Sequence, residues 1–200
     1  FSIAPRTKVP FCTMQYERLF NSCRIPGEEV DRFAHFDDAR HVAVYCQGCW
    51  FKLIVHNGKR LLEPAELQHQ FDQILTSPLE PSPGEKHLAA LTAGDRAHWA
   101  KTRKDFFSSG MNKTSLRMIE RAAFVLILDD EDVAYDPNDR SRLDHWAANL
   151  LHGKAHDRWF DKSFNLIISK NAHFGINAEH SWGDAAVTAH FVEYILLQDV

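Results

Sequence analysis

The chain has 200 residues, a net charge of −4 from 23 basic and 27 acidic side chains, and 44% apolar residues. That size and balance suit one globular domain with its own core and argue against a disordered chain. The mixed, slightly acidic charge gives no basic face for nucleic acid, and no run approaches the ~18 apolar residues of a membrane span.

Residues 1–30 read as loop-rich, with one short helix at "MQYERLFN" ended by the Pro-Gly turn of "RIPGEE". The opening stretch lacks the apolar core of a signal peptide and an initiator Met. The chain is therefore expected to be processed or cut from something longer. Residues 41–56 read as a hairpin, with "HVAVY" and "FKLIV" flanking a Gln-Gly turn in "YCQGCW". Cys46 and Cys49 form the one CxxC among four cysteines, Cys12 and Cys23 being the others. Structural zinc needs a second half-site or histidines at ligand spacing, so a hairpin with reduced thiols in an intracellular compartment is expected, and no metal.

Pro64 opens a helix through "EPAELQHQFDQIL", with Leu67, Phe71, Ile74 and Leu75 at helical spacing. "TSPLEPSPGE" reads as an internal Pro-rich loop. A helix begins near Asp95, with Trp99, Phe106 and Phe107 on or near its buried side. "NKTSLRMIER" follows as a helix capped by Thr114 or Ser115, passing into a strand at residues 123–128. The acidic "DDEDVAYDPNDRS" reads as a solvated loop, because a calcium loop would need regular Asp spacing and a turn glycine. A helix over residues 141–151 is closed by Gly153. Strands at 163–169 and 174–179 and a helix over "DAAVTAHFVEYILLQ" complete the chain. This order implies an α/β fold, a mixed sheet with flanking helices. The Gly-rich phosphate loops of nucleotide-binding folds are missing.

The chemistry that stands out is His180 and Asp184 in "NAEHSWGDA", between a strand and a helix. In a helical or turn-like 180–184 segment, Asp184 could hold the ring of His180 in one tautomer and leave the other nitrogen free as a base. Small residues here would admit a substrate, and Trp182 would wall the pocket. Spacing alone leaves three readings open: a base with its carboxylate, a metal pair with His190 as third ligand, or a hydrogen-bonded structural histidine, the commonest case. His152, His156 and Asp157 form a second histidine cluster, broken by Gly153. A nucleophilic serine elbow is missing.

The string "RWFDKSFNLIISKNAHFGINAEHSWGDA" resembles the signature region of the carnitine and choline acyltransferases. Arg158, Trp159, Asp161, Lys162, Asn171, Ala172, Glu179, His180, Asp184 and Ala185 fall at the family's spacing. "QYERLFNSCRIPG", "RHVAVYCQGCWFKLIV" and "ALTAGDRAHWA" extend the resemblance over essentially the whole chain, closest to the mitochondrial long-chain branch. The resemblance implies a chloramphenicol acetyltransferase-like fold, incomplete here, with residues 1–200 as one part of the catalytic region and the C-terminal half absent. It implies transfer of a long-chain acyl group between coenzyme A and the 3-hydroxyl of L-carnitine, with acyl-CoA as co-substrate rather than bound cofactor. Short-chain or choline transfer and a non-catalytic acyl-CoA-sensing relative are the alternatives. His180 takes the place of the family's general base. Asp184 takes the place of an acidic residue that either orients the base or holds the local backbone. Gly183 stands where alanine is usual. The outer mitochondrial membrane, with the catalytic region facing the cytosol, is the implied location. The isolated chain is expected to be inactive.

Overall fold

The computed structural model describes residues 10–133 and 136–198. The first nine residues of the loop-rich start, two in the acidic loop and the last two fall outside the described residues. Helix α1 (Thr13–Leu19) leads into a small hairpin of β1 (Ser22–Ile25) and β2 (Arg32–His35). That hairpin was not expected, because "SCRI" and "RFAH" are too short to show a period and the intervening "PGEEVD" reads as pure loop. The larger hairpin pairs β3 (His41–Cys46) with β4 (Cys49–Ile54), as expected. Gln47 and Gly48 both have positive φ, +50° and +88°, which matches the twist of a tight two-residue hairpin. A Cβ on Gly48 would also lie 2.7 Å from the ring of Pro81.

Two-residue strands β5 (His56–Asn57) and β6 (Arg60–Leu61) precede α2 (Pro64–Leu75). Helix α2 starts at Pro64 with a reciprocal Glu63–Glu66 cap, which satisfies backbone donors that the helix leaves unpaired. Its buried stripe is Ile74 with Phe71, whereas Leu75 points to solvent. Short α3 (Pro83–Lys86) and a 3-10 turn (Leu88–Thr92) follow. Helix α4 (Arg96–Phe106) is capped by Asp95, whose carboxylate accepts from the His98 amide at 2.8 Å. Trp99 is buried as expected, but Phe106 is exposed and Phe107 takes the packed position. Helix α5 (Gly110–Glu120) begins five or six residues earlier than expected, after Ser109, so Thr114 and Ser115 lie within it. Strand β7 (Val125–Leu128), α6 (Arg140–His152), β8 (Phe164–Ile168), β9 (Phe174–Ala178) and α7 (Ala185–Gln198) complete the described chain.

The main sheet has five strands in the order β4-β3-β7-β8-β9. The central β3, β7 and β8 are parallel, and an antiparallel hairpin partner flanks them on each side. Successive side chains alternate between faces. Ala43, Tyr45, Val125, Ile127 and Ile167 therefore join one core with Trp99, Leu116 and Ile119. Val42, Val44, Leu53 and Leu126 join a second core with Ile74 of α2. Burial on both faces explains why β3 reads as a continuous apolar run. This is the expected mixed sheet with flanking helices.

A third cluster positions the site. Leu19, Phe164, Trp182 and Val187 are buried together, joined by Tyr16, Phe20 and Phe191, so α1 and α7 meet below the segment that carries His180. Phe164 stacks on Phe124 at 5.0 Å and meets Phe20 edge-on at 5.5 Å.

Candidate active site

The 179–184 segment leaves the edge strand β9 and enters α7. Because β9 runs antiparallel to β8, with Ala178 opposite Phe164, this segment sits at the N-terminal end of the parallel strands. A cavity of about 350 Å³, lined in part by Tyr45, Gly48, Leu128 and His156, lies at the other end of the sheet.

Four side chains of the segment are fastened, and that of His180 is not. The Glu179 carboxylate, 10% exposed, meets Arg24 of β1, with Nη1 3.3 Å from Oε1. Its other oxygen accepts from the Ser181 amide at 2.9 Å and from the Ser181 hydroxyl. Trp182 is buried and its indole N–H donates to the Ser163 carbonyl at 2.8 Å. It anchors the loop from beneath rather than walling a pocket. The Asp184 amide donates to Gln15 Oε1 at 3.1 Å, and Gln15 Nε2 donates to Asp184 Oδ2 at 3.4 Å. His180 itself is exposed, and among the described residues its ring has no hydrogen-bond or ion-pair partner.

His180 and Asp184 are thus brought onto one short loop but not into contact. Residues 180–182 form a bend and α7 begins only at Ala185, so the helical i,i+4 geometry is not reached. The carboxylate turns to Gln15 on α1 instead, which supports the backbone-holding role. A Cβ at Gly183 would meet Gln15 at an ordinary 3.5 Å, so the glycine opens no gap that alanine would close. If Gln15 and Asp184 act as one fastener, Gln15→Ala and Asp184→Ala should each cost about 1 kcal/mol in loop stability. The double variant should cost little more than either alone. Fully additive effects in a double-mutant cycle would separate the two residues.

The metal readings are not supported. His190 lies on the next helix with Nδ1 2.5 Å from the Tyr16 hydroxyl oxygen. His152 engages its own Gly153 carbonyl at 2.8 Å, and His156 packs edge-on to His87. Among the described residues there is no cluster of three or more metal-binding side chains. Cys46 and Cys49 face each other across the hairpin turn, and burial raises both thiol pKa values.

The segment before β8 forms the floor. Arg158 is wholly buried, and its Nη2 donates to Asp129 at 2.8 Å and to Asn149 at 3.1 Å. Asp129, expected in a solvated acidic loop, is buried with it. Burial pushes that carboxyl up, but the hydrogen bond and charge of Arg158 outweigh this and its pKa is lowered. Gly153 closes α6 with φ +49°, where a Cβ would lie 2.7 Å from the Arg158 guanidinium carbon. Burial raises the Asp161 pKa to about 6 against the pull of Arg96, 2.7 Å away, and Trp99 donates to its other oxygen at 2.9 Å.

Lys162 is fully buried, donates to the Glu120 carbonyl at 2.8 Å, and is lowered by desolvation to about 8. The unfolded chain therefore binds more protons between about 8 and the ordinary 10.5, so this group makes stability rise with pH across that window. The Cys23 thiol, raised by burial to about 12, acts in the opposite sense above its ordinary 9.0. Lys162→Met should abolish the rise in urea midpoint between pH ~8 and pH ~9. An unchanged rise would assign it to another group.

The chain matches the family model described as choline/carnitine O-acyltransferase over residues 2–200. The chain belongs to the choline/carnitine O-acyltransferase family. It is 52% identical over 191 residues to human carnitine O-palmitoyltransferase 1, muscle isoform, covering 96% of this chain and 25% of that relative. It is 47% identical over 192 residues to the human liver isoform, with the same coverage, and 39% identical over 183 residues to human mitochondrial carnitine O-palmitoyltransferase 2, covering 91% and 26%. The chain spans about a quarter of the length of these relatives. The fold expected from the family resemblance, a mixed sheet with flanking helices, is the one observed.

Gln15 and Arg24 went unnoticed in the sequence. They lie 169 and 155 residues from their partners Asp184 and Glu179, and no local pattern marks them.

Proposed function

We propose that this chain carries the general base of a reversible acyl transfer between coenzyme A and the 3-hydroxyl of L-carnitine. The observation that carries the reading is His180: an exposed imidazole, unpartnered among the described residues, on a loop whose neighbouring side chains are fastened, in a family of carnitine and choline acyltransferases. A base needs a free lone pair, which this ring keeps among the described residues, and the fastened neighbours hold the backbone that carries it.

In this reading His180 removes the hydroxyl proton as the carnitine oxygen bonds to the thioester carbonyl carbon. The carbonyl π electrons move onto its oxygen to give a tetrahedral oxyanion. Collapse of that intermediate breaks the carbon–sulfur bond, and the departing thiolate takes the proton from the imidazolium. The products are acylcarnitine and free CoA, with no acyl-enzyme. In reverse, His180 deprotonates the thiol. Asp184 supports the base by holding the loop through Gln15.

A long acyl chain is the preferred donor in this proposal, because the names of the relatives specify palmitoyl transfer. Residues 1–200 form one part of the catalytic region, and the part supplied by a C-terminal half completes the carnitine and CoA sites and the oxyanion contacts. Location at the mitochondrial outer membrane, with this region facing the cytosol, belongs to the same proposal. No helix of the described residues is long and apolar enough to cross a membrane.

The test is release of free CoA from a series of acyl-CoA donors with carnitine or choline as acceptor. It compares the 200-residue chain with a longer polypeptide that carries it. Transfer to carnitine by the longer polypeptide and none by the chain alone is the expected result. Turnover by the chain alone, or choline as the faster acceptor, would overturn the corresponding part of the proposal.

A further inference from the structure

Glu179 precedes the proposed base, and its two oxygens have divided duties. Oε2 holds the amide and hydroxyl of Ser181, so the carboxylate reaches across His180 to the residue after it. Oε1 meets Arg24 Nη1 at 3.3 Å. Arg24 is itself fixed, its Nε donating to Asp31 Oδ2 at 2.6 Å. That same oxygen accepts from Arg96 Nε at 2.7 Å, and Asp31 Oδ1 accepts from the Gly27 amide at 3.0 Å. Arg96 then reaches Asp161, which also holds the buried Trp99 indole. A continuous chain of alternating charges thus runs from the core side of α4, through β1, to the backbone turn that presents His180. Its inner members are well shielded, with side-chain exposures of 14% for Asp31 and 3% for Asp161.

We infer that Arg24 is a positioning residue for His180. It acts by neutralising Glu179 and holding that carboxylate in the orientation that bridges to Ser181. This rests on the reading of His180 as base. Without Arg24, Glu179 is a largely buried carboxylate facing no cation, and it gains by rotating to water. Ser181 then loses its acceptor and the turn at His180 opens. Lysine restores the charge, but it lacks the planar fork that spans Asp31 and Glu179 together.

The experiment has two arms. In the 200-residue chain, hydrogen exchange is followed at the Ser181 amide and at β8 amides in the unaltered protein, Arg24→Met and Arg24→Lys. Arg103→Met, which removes the Arg103–Glu120 ion pair on another surface, serves as control. Arg24→Met should speed exchange at Ser181 by roughly tenfold or more, with β8 still protected, and Arg24→Lys should lie between. If β8 protection also falls, the double variant Arg24→Met/Glu179→Gln decides the point, because a neutral amide needs no cation yet can still accept from Ser181: Ser181 protection should recover, and exchange as fast as in Arg24→Met overturns the role. In the longer polypeptide, Arg24→Met should lower kcat by roughly 10²-fold, the cost of a base misplaced by about an ångström, with KM for acyl-CoA nearly unchanged. Unchanged exchange at Ser181, or unchanged kcat, overturns the positioning role. An unaltered longer polypeptide that transfers no acyl group would instead refute the proposed function, while the exchange result would still stand.

Discussion

His180→Ala should lower kcat for acyl transfer by about 10²- to 10⁴-fold in the longer polypeptide, the usual span for removal of a positioned general base. KM for acyl-CoA should change little, because the imidazole acts on a proton that moves only as the new bond forms. The stability of the chain should change by less than about 0.5 kcal/mol, the range for exposed side chains without structural partners. His180 meets that description, with an exposed ring that bonds to nothing among the described residues. The combination matters. A structural histidine would reverse it, with stability lost and kcat preserved. Fluorescence-monitored urea unfolding of the chain and initial rates of the longer polypeptide together separate the two.

Arg158→Met should destabilise the chain by about 3–5 kcal/mol, the cost of stripping the partner from a buried charge. Asp129 and Arg158 have side-chain exposures of 1% and 0%. With the guanidinium gone, Asp129 keeps the Asn149 amide at 3.3 Å and the Glu131 amide at 3.1 Å, which satisfy hydrogen bonds but not the charge. Arg158→Met combined with Asp129→Leu should recover only part of the loss, because Asp157, 3.1 Å from Arg158 and 7% exposed, also loses its cation and stays charged. Urea midpoints of the single and double variants provide the check. A single variant within about 1 kcal/mol of the unaltered chain would show that water reaches Asp129 in solution.

The parts of this fold legible in the sequence are those in which local chemistry and burial agree. Pro64 and Asp95 mark helix starts by what their backbone and side chain can do, and both helices begin there. The β3–β4 hairpin shows itself through its apolar strands and Gln47-Gly48 turn. The failures have equally local causes. Ser109, without a side-chain cap hydrogen bond, starts α5 where Thr114 and Ser115 offered the more usual capping chemistry. Asp129 looked solvated among acidic neighbours because its partner lies 29 residues downstream. At the candidate site, the pattern singles out His180 and Asp184 but not their relation. The i,i+4 spacing presumes a helix, and Asp184 instead turns to Gln15, a contact that only the packing of α1 against α7 creates. The charge chain behind Glu179 is of the same kind, since Arg24, Asp31, Arg96 and Asp161 meet only in the folded chain.

In the proposed function His180 acts by taking a proton and not by holding the fold. Adding imidazole to the His180→Ala variant of the longer polypeptide tests it most directly. Free imidazole can supply the missing base in the space left by the side chain. The expected result is a rate of carnitine-dependent CoA release that rises with imidazole concentration in His180→Ala and stays flat in the unaltered enzyme. A His180→Ala variant that transfers acyl groups at the unaltered rate without imidazole would rule out His180 as the base.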